Sequence, residues 1–104
     1  MQQIKDIPVK ELRPGIMARL VHGNLCSLSV VEIKKGTVMD EHQHPHEQIT
    51  YLISGQLDMV IAGEKYSFTP GMVHVIPSNA PHSAYAVTDI EVIDIFSPVR
   101  EDYK

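Results

Sequence analysis

Turn-forming residues interrupt this 104-residue chain so often that no long element fits between them. Seven prolines and six glycines are spread along it. Proline in a helix interior removes a hydrogen bond and clashes with the preceding turn, and glycine costs about 1 kcal/mol there relative to alanine. Lys35-Gly36, Ser54-Gly55, Ala62-Gly63, Pro70-Gly71 and Ser97-Pro98 each mark a turn. The segments between them are short and rich in Val, Ile, Leu, Tyr and Thr, and their side chains alternate with a period of two. That pattern specifies half-buried strands. It predicts eight of them, over residues 26–34, 38–44, 47–53, 56–61, 64–69, 72–76, 82–87 and 90–96, with the pair around Ala62-Gly63 forming a hairpin. In the first, Leu25, Ser27, Ser29, Val31 and Ile33 share one face. The stretch before them, bracketed by Pro8 and Pro14-Gly15, is polar and carries no helical stripe. The expected fold is all-β, a small closed or double-sheet barrel, because closure protects strand edges.

Composition narrows the function classes. Nine Lys+Arg stand against thirteen Asp+Glu, a net charge of −4, which excludes the basic stripe of a nucleic-acid binder. No apolar run approaches the roughly 20 residues that span a membrane, and the start of the chain has no signal-type apolar segment. The expectation is one domain over residues 1–104, in the cytoplasm, with no nucleic-acid or membrane partner. The single cysteine, Cys26, excludes an internal disulfide, fits a reducing compartment and reads as a small buried apolar residue.

Histidine is the unusual residue. Five of the six, His42, His44, His46, His74 and His82, fall between positions 42 and 82. His42-Gln43-His44 has the spacing that puts two imidazoles on one strand face. By itself the pair is a weak signal, since two solvated histidines at a strand end account for it. Gln48, four residues beyond His44, and His82, after the proline-flanked turn 77–81, give it weight. Three imidazoles and an amide oxygen suit a borderline transition metal, with coordination positions left open for chemistry. Glu47 competes with Gln48 for the fourth position, and the face shared with Thr50 and Leu52 favours Gln48. His46 is open as an additional or alternative ligand, His74 as a core or surface histidine, and His22 as a loop residue.

These residues resemble the two motifs of the cupins. The first, G-x5-H-x-H-x3or4-E-x6-G, reads Gly36, His42, His44, Gln48 and Gly55, over residues 36–55. The second, G-x5-P-x-G-x2-H-x3-N, reads Gly71, Pro77, Asn79, His82 and Ala86, over residues 71–86. Every spacing is kept, with Gln48, Asn79 and Ala86 as the departures. Asn79 is a mild one, because asparagine tolerates the left-handed conformation of such turns. The resemblance implies a cupin double-stranded β-helix, or jelly-roll, barrel holding one divalent transition metal (Zn, Ni, Mn or Fe) through His42, His44, Gln48 and His82.

Near the end of the chain, Asp94 lies in the apolar run Val92-Ile93-Asp94-Ile95-Phe96. It is either an exposed strand residue or a barrel-lining carboxylate that serves as acid or base, since a buried carboxylate is costly unless paired or used. Phe96 shares its face. Arg100 is either a surface partner of Glu101 or Asp102, or a fork for a substrate carboxylate at the barrel mouth. The run 42–48, with Asp94, Phe96, Ser97, Pro98, Arg100, Glu101, Asp102 and Tyr103, is similar to the small single-domain cupins of pectin and alginate degradation. These open and ketonise 4,5-unsaturated uronates. That resemblance implies Asp94, Phe96 and Arg100 as catalytic or substrate-lining residues and a small anionic substrate. Two other readings stand beside it: a cupin metal-dependent dioxygenase, and a non-catalytic module that binds a sugar acid or a metal. A homodimer is also expected, with residues 2–14 as a stretch able to cross between subunits.

Overall fold

The computed structural model describes residues 1–104. Ten strands follow one another: β1 Lys10–Arg13, β2 Ile16–His22, β3 Ser27–Ile33, β4 Val38–His42, β5 Glu47–Ser54, β6 Leu57–Ile61, β7 Glu64–Phe68, β8 Val73–Ile76, β9 His82–Ala86 and β10 Ile90–Ser97. Short 3-10 turns at Ile4–Asp6 and Glu101–Tyr103 flank them. Six strands form one sheet in the order β1-β2-β3-β10-β5-β8, and four form the other in the order β4-β9-β6-β7. Every pairing is antiparallel, and the two sheets close over one core as a jelly-roll barrel. No helix is long and apolar enough to cross a membrane.

The eight expected strands are present with ends shifted by a few residues, and two more precede them. β1 and β2 escaped the sequence reading because their own pattern is weak. Lys10-Glu11-Leu12-Arg13 turns only Leu12 inward, and in β2 the outward Met17 and Val21 blur the alternation. β1 pairs with β2 of the same chain. Cys26 is exposed, contrary to the expectation of burial. It sits in the turn closed by the Gly23 N–H to Cys26 carbonyl bond, and the buried face of β3 begins one residue later, at Ser27. Leu25 is exposed with it. His22 ends β2 rather than lying in a loop, and its Nδ1 is 2.8 Å from Ser27 Oγ.

Cross-strand register arranges the inner face of the larger sheet into rungs. Ala18, Val31, Val92 and Leu52 form one rung, all fully buried and apolar. The next rung is Leu20, Ser29, Asp94, Thr50 and His74, and the one after it His22, Ser27, Phe96, Gln48 and Ile76. The barrel is therefore apolar at one end, where Leu57 pairs with Phe68 in the smaller sheet, and more polar at the other, where Ile61 lies across from His82. Two left-handed residues shape opposite ends of the barrel. Asn79, at φ 62°, lets the 77–81 turn fold back so that its N–H donates to the His44 carbonyl. Gly55, at φ 89°, passes against the Asp89 carbonyl, where no side chain fits.

Candidate metal centre and cavity

His42 closes β4 and His82 opens β9, directly across the strand pair. His44 lies in the loop that leads to β5. One ring nitrogen from each of the three lies within 4.8 Å of the others. The Nδ1 atoms are pinned to backbone carbonyls: His42 to Asp40 at 3.0 Å, His44 to His46 at 3.0 Å and His82 to Ala80 at 2.8 Å. A carbonyl only accepts, so each Nδ1 carries the proton and each Nε2 presents a lone pair to the shared centre.

Gln48 decides what belongs between them. Its amide nitrogen donates to Thr50 Oγ1 at 3.0 Å and to Asp94 Oδ1 at 3.2 Å, which aims Oε1 at the histidines. Oε1 then lies 3.1 Å from His44 Nε2. With Nδ1 protonated both atoms are acceptors, an approach that a shared cation makes favourable. Burial, and then the Arg100 charge, lower the His44 pKa, which disfavours a proton in that role. Burial lowers His82 as well. Three imidazole nitrogens and an amide oxygen, all neutral, fit a borderline divalent transition metal. His42, His44 and His82 are positioned to bind a metal ion, and Gln48 turns its amide oxygen toward His44 beside them. Glu47 points to solvent while Gln48 is buried, as alternation in β5 requires. His46 stands outside the group, its Nε2 directed at the Val99 carbonyl at 3.3 Å, although its own carbonyl anchors His44. His74 stacks on Tyr66, ring centroids 4.5 Å apart, and does not reach the cavity.

The histidine cluster opens on a cavity of about 80 Å³ that Asp94, Phe96 and Arg100 also line. Asp94 Oδ1 accepts from the Thr50 hydroxyl at 2.8 Å as well as from Gln48, and Oδ2 has no hydrogen bond. Burial pushes the Asp94 pKa up to about 6 against the pull of those two donors and of Arg100. Phe96 is buried, with its ring edge-on to His44.

Arg100 lines the cavity and is also ion-paired with Asp102. Its side chain is only 7% exposed, yet Nε and Nη2 clasp Asp102 Oδ1 and Oδ2 at 3.0 and 2.8 Å. The guanidinium lies over the rings of Tyr103, 3.9 Å away, and Phe96, 4.6 Å away. The Arg100 backbone N–H donates to Ser27 Oγ at 2.9 Å, and Lys10 Nζ reaches the Tyr103 carbonyl at 3.1 Å, so the tail is held across the mouth. Nη1 makes no hydrogen bond within the chain. Sequence reasoning assigned no role to Ser29, Thr50, Tyr103 or Arg13 and read Asp102 only as a surface partner of Arg100, yet all five line the cavity or hold its residues. For Ser29 and Thr50 the signal was available, since alternation puts them on inward faces. For Asp102 and Tyr103 nothing local shows that the tail folds back.

Comparison with known proteins agrees with this geometry. The cupin-domain family profile matches residues 29–96. The chain is 32% identical to the pectin degradation protein KdgF of Dickeya dadantii (strain 3937), over 94% of this chain and 92% of that one. The structure of KdgF from Halomonas sp. superimposes with a TM-score of 0.90 at 33% identity, covering 96% of this chain and 94% of that one. An RmlC-like cupin from Shewanella frigidimarina NCIMB 400 superimposes with a TM-score of 0.94 at 23% identity, covering 100% and 95%, a likeness of fold.

Proposed function

The chain belongs to the cupin-domain family, and from that premise we propose that it is a metal-dependent isomerase-type enzyme that opens and ketonises a 4,5-unsaturated uronate. What carries the reading is convergence on one cavity: a His/His/Gln/His donor set, a carboxylate with one free oxygen, and a guanidinium with one free edge. The similarity to two proteins named KdgF, one of them called a pectin degradation protein, supports the same substrate class.

The chemistry is a net proton shift. A divalent cation held by His42, His44, Gln48 and His82 supplies positive charge beside oxygens that become anionic. Arg100 spends its Nε edge on Asp102 and keeps Nη1 for the substrate carboxylate, with Phe96 and Tyr103 fixing the plane of the guanidinium. Asp94 Oδ2 takes the proton of the hemiacetal hydroxyl. The C1–O bond of that hydroxyl becomes a carbonyl, the ring C1–O5 bond breaks, and its electron pair leaves on O5 as an enolate. Asp94 then returns the proton to C4 as the enolate collapses to the C5 ketone. Atoms and charge balance, and no oxidant enters. A carboxyl pushed to about 6 takes and gives a proton readily near neutral pH.

The test is loss of the conjugated-alkene absorbance of an unsaturated uronate on addition of metal-loaded protein, without oxygen uptake. Asp94→Asn is expected to reduce turnover by a factor of about 100 or more with metal content unchanged. Full turnover in that variant, or no absorbance loss with wild type, refutes the reading. Oxygen uptake in its place identifies a dioxygenase.

A further inference from the structure

Ser29 is 1% exposed in the middle of β3, and its hydroxyl has no hydrogen-bond partner. The sheet does not need a hydroxyl there. Two residues earlier on the same face, Ser27 Oγ is fully used by the Arg100 N–H and His22 Nδ1. Two residues later, Val31 belongs to the dry rung. A buried hydroxyl left unpaired destabilises a fold in a way that alanine of nearly the same shape does not. Ser29 nonetheless lines the cavity, so its missing partner belongs in that space.

Its neighbour across the ladder is Asp94. Directly paired residues of antiparallel strands have Cα atoms roughly 4.5–5.5 Å apart and direct their side chains to the same side. Asp94 Oδ1 is taken by Thr50 and Gln48, and Oδ2 accepts from nothing. The rung therefore offers a hydroxyl that can give and take beside an oxygen that can only take. One group satisfies both: a ligand hydroxyl that donates to Asp94 Oδ2 and accepts from Ser29 Oγ. An amine or a second carboxylate cannot, because the first lacks a free acceptor when charged and the second has no proton to give.

We propose that Ser29 and Asp94 form a hydroxyl-binding subsite that selects a hydroxylated acid and presents one of its hydroxyls to Asp94. This rests on the uronate reading above. It adds that Ser29 is a specificity residue.

The test uses metal-loaded protein, wild type and Ser29→Ala, with galacturonate and its 1-, 2- and 3-deoxy counterparts as non-reacting probes in calorimetry. Ser29→Ala weakens galacturonate binding about threefold to tenfold. The penalty disappears for the one deoxy sugar that lacks the hydroxyl. A penalty equal across all four sugars, or no penalty at all, overturns the subsite. If wild type binds none of the sugars, the uronate reading fails first, and the wild-type titration alone identifies that failure.

Discussion

Replacing Asp102 with asparagine isolates the clasp that holds Arg100 over the cavity. The substitution keeps the shape and removes one charge, and it sets an amide N–H against the Nη2 donor that now meets Oδ2 at 2.8 Å. A hydrogen bond to a charged partner contributes about 1.5–3 kcal/mol. The Asp102 side chain is 59% exposed, so water replaces part of what is lost, and about 1–2 kcal/mol is the expected cost. The aromatic faces at 3.9 and 4.6 Å still hold the guanidinium, so the tail stays folded. For a domain of this size the cost corresponds to a fall in Tm of about 5–15 °C at pH 7. Bonding to Arg100 holds the Asp102 carboxyl below the usual carboxylate range. Its stabilisation is therefore present above about pH 4 and is lost as the pH falls through the lower folded value, so the gap between wild type and variant narrows only in acid. Urea unfolding at pH 7 and pH 3, with metal content and substrate KM measured at pH 7, tests each part. KM should rise severalfold with metal retained. Equal stability at pH 7, or a gap as wide at pH 3, would falsify the view that charge pairing orients Arg100.

Other perturbations separate the metal centre from the scaffold. His82→Ala should drop bound metal to background while the protein stays folded, as read by elemental analysis and circular dichroism; undiminished metal refutes the ligand assignment. Saturating metal at about 100 times its Kd should stabilise wild type by about 2.7 kcal/mol, and His82→Ala should show none of that gain. Gly55→Ala should cost about 2 kcal/mol or more in chemical denaturation, because a Cβ at φ 89° meets the Asp89 carbonyl oxygen; a loss below about 0.5 kcal/mol contradicts it.

Much of this molecule was legible along the chain, because the forces concerned act over a few residues. Proline and glycine placement forbids long helices, and alternation with period two tells which side of each strand faces inward. The same alternation put Gln48 in and Glu47 out, and Asp94 on the face of Phe96. The spacing of the two motifs anticipated the meeting of His42, His44 and His82. What only the tertiary structure decided depends on which distant segments pair. β1 becomes a strand because β2 lies beside it, not because Lys10-Glu11-Leu12-Arg13 prefers to be one. Cys26 is exposed because the turn after β2 ends just past it. Arg100 is both buried and ion-paired because its backbone bonds Ser27, 73 residues away, before its side chain turns to Asp102. The amide of Gln48 faces the histidines because Asp94, 46 residues on, takes its N–H. Ser29 acquires a reason to be a serine only when Asp94 of β10 is set beside it. Period and turn chemistry are properties of a segment, whereas hydrogen-bond satisfaction is settled between segments once their register is set.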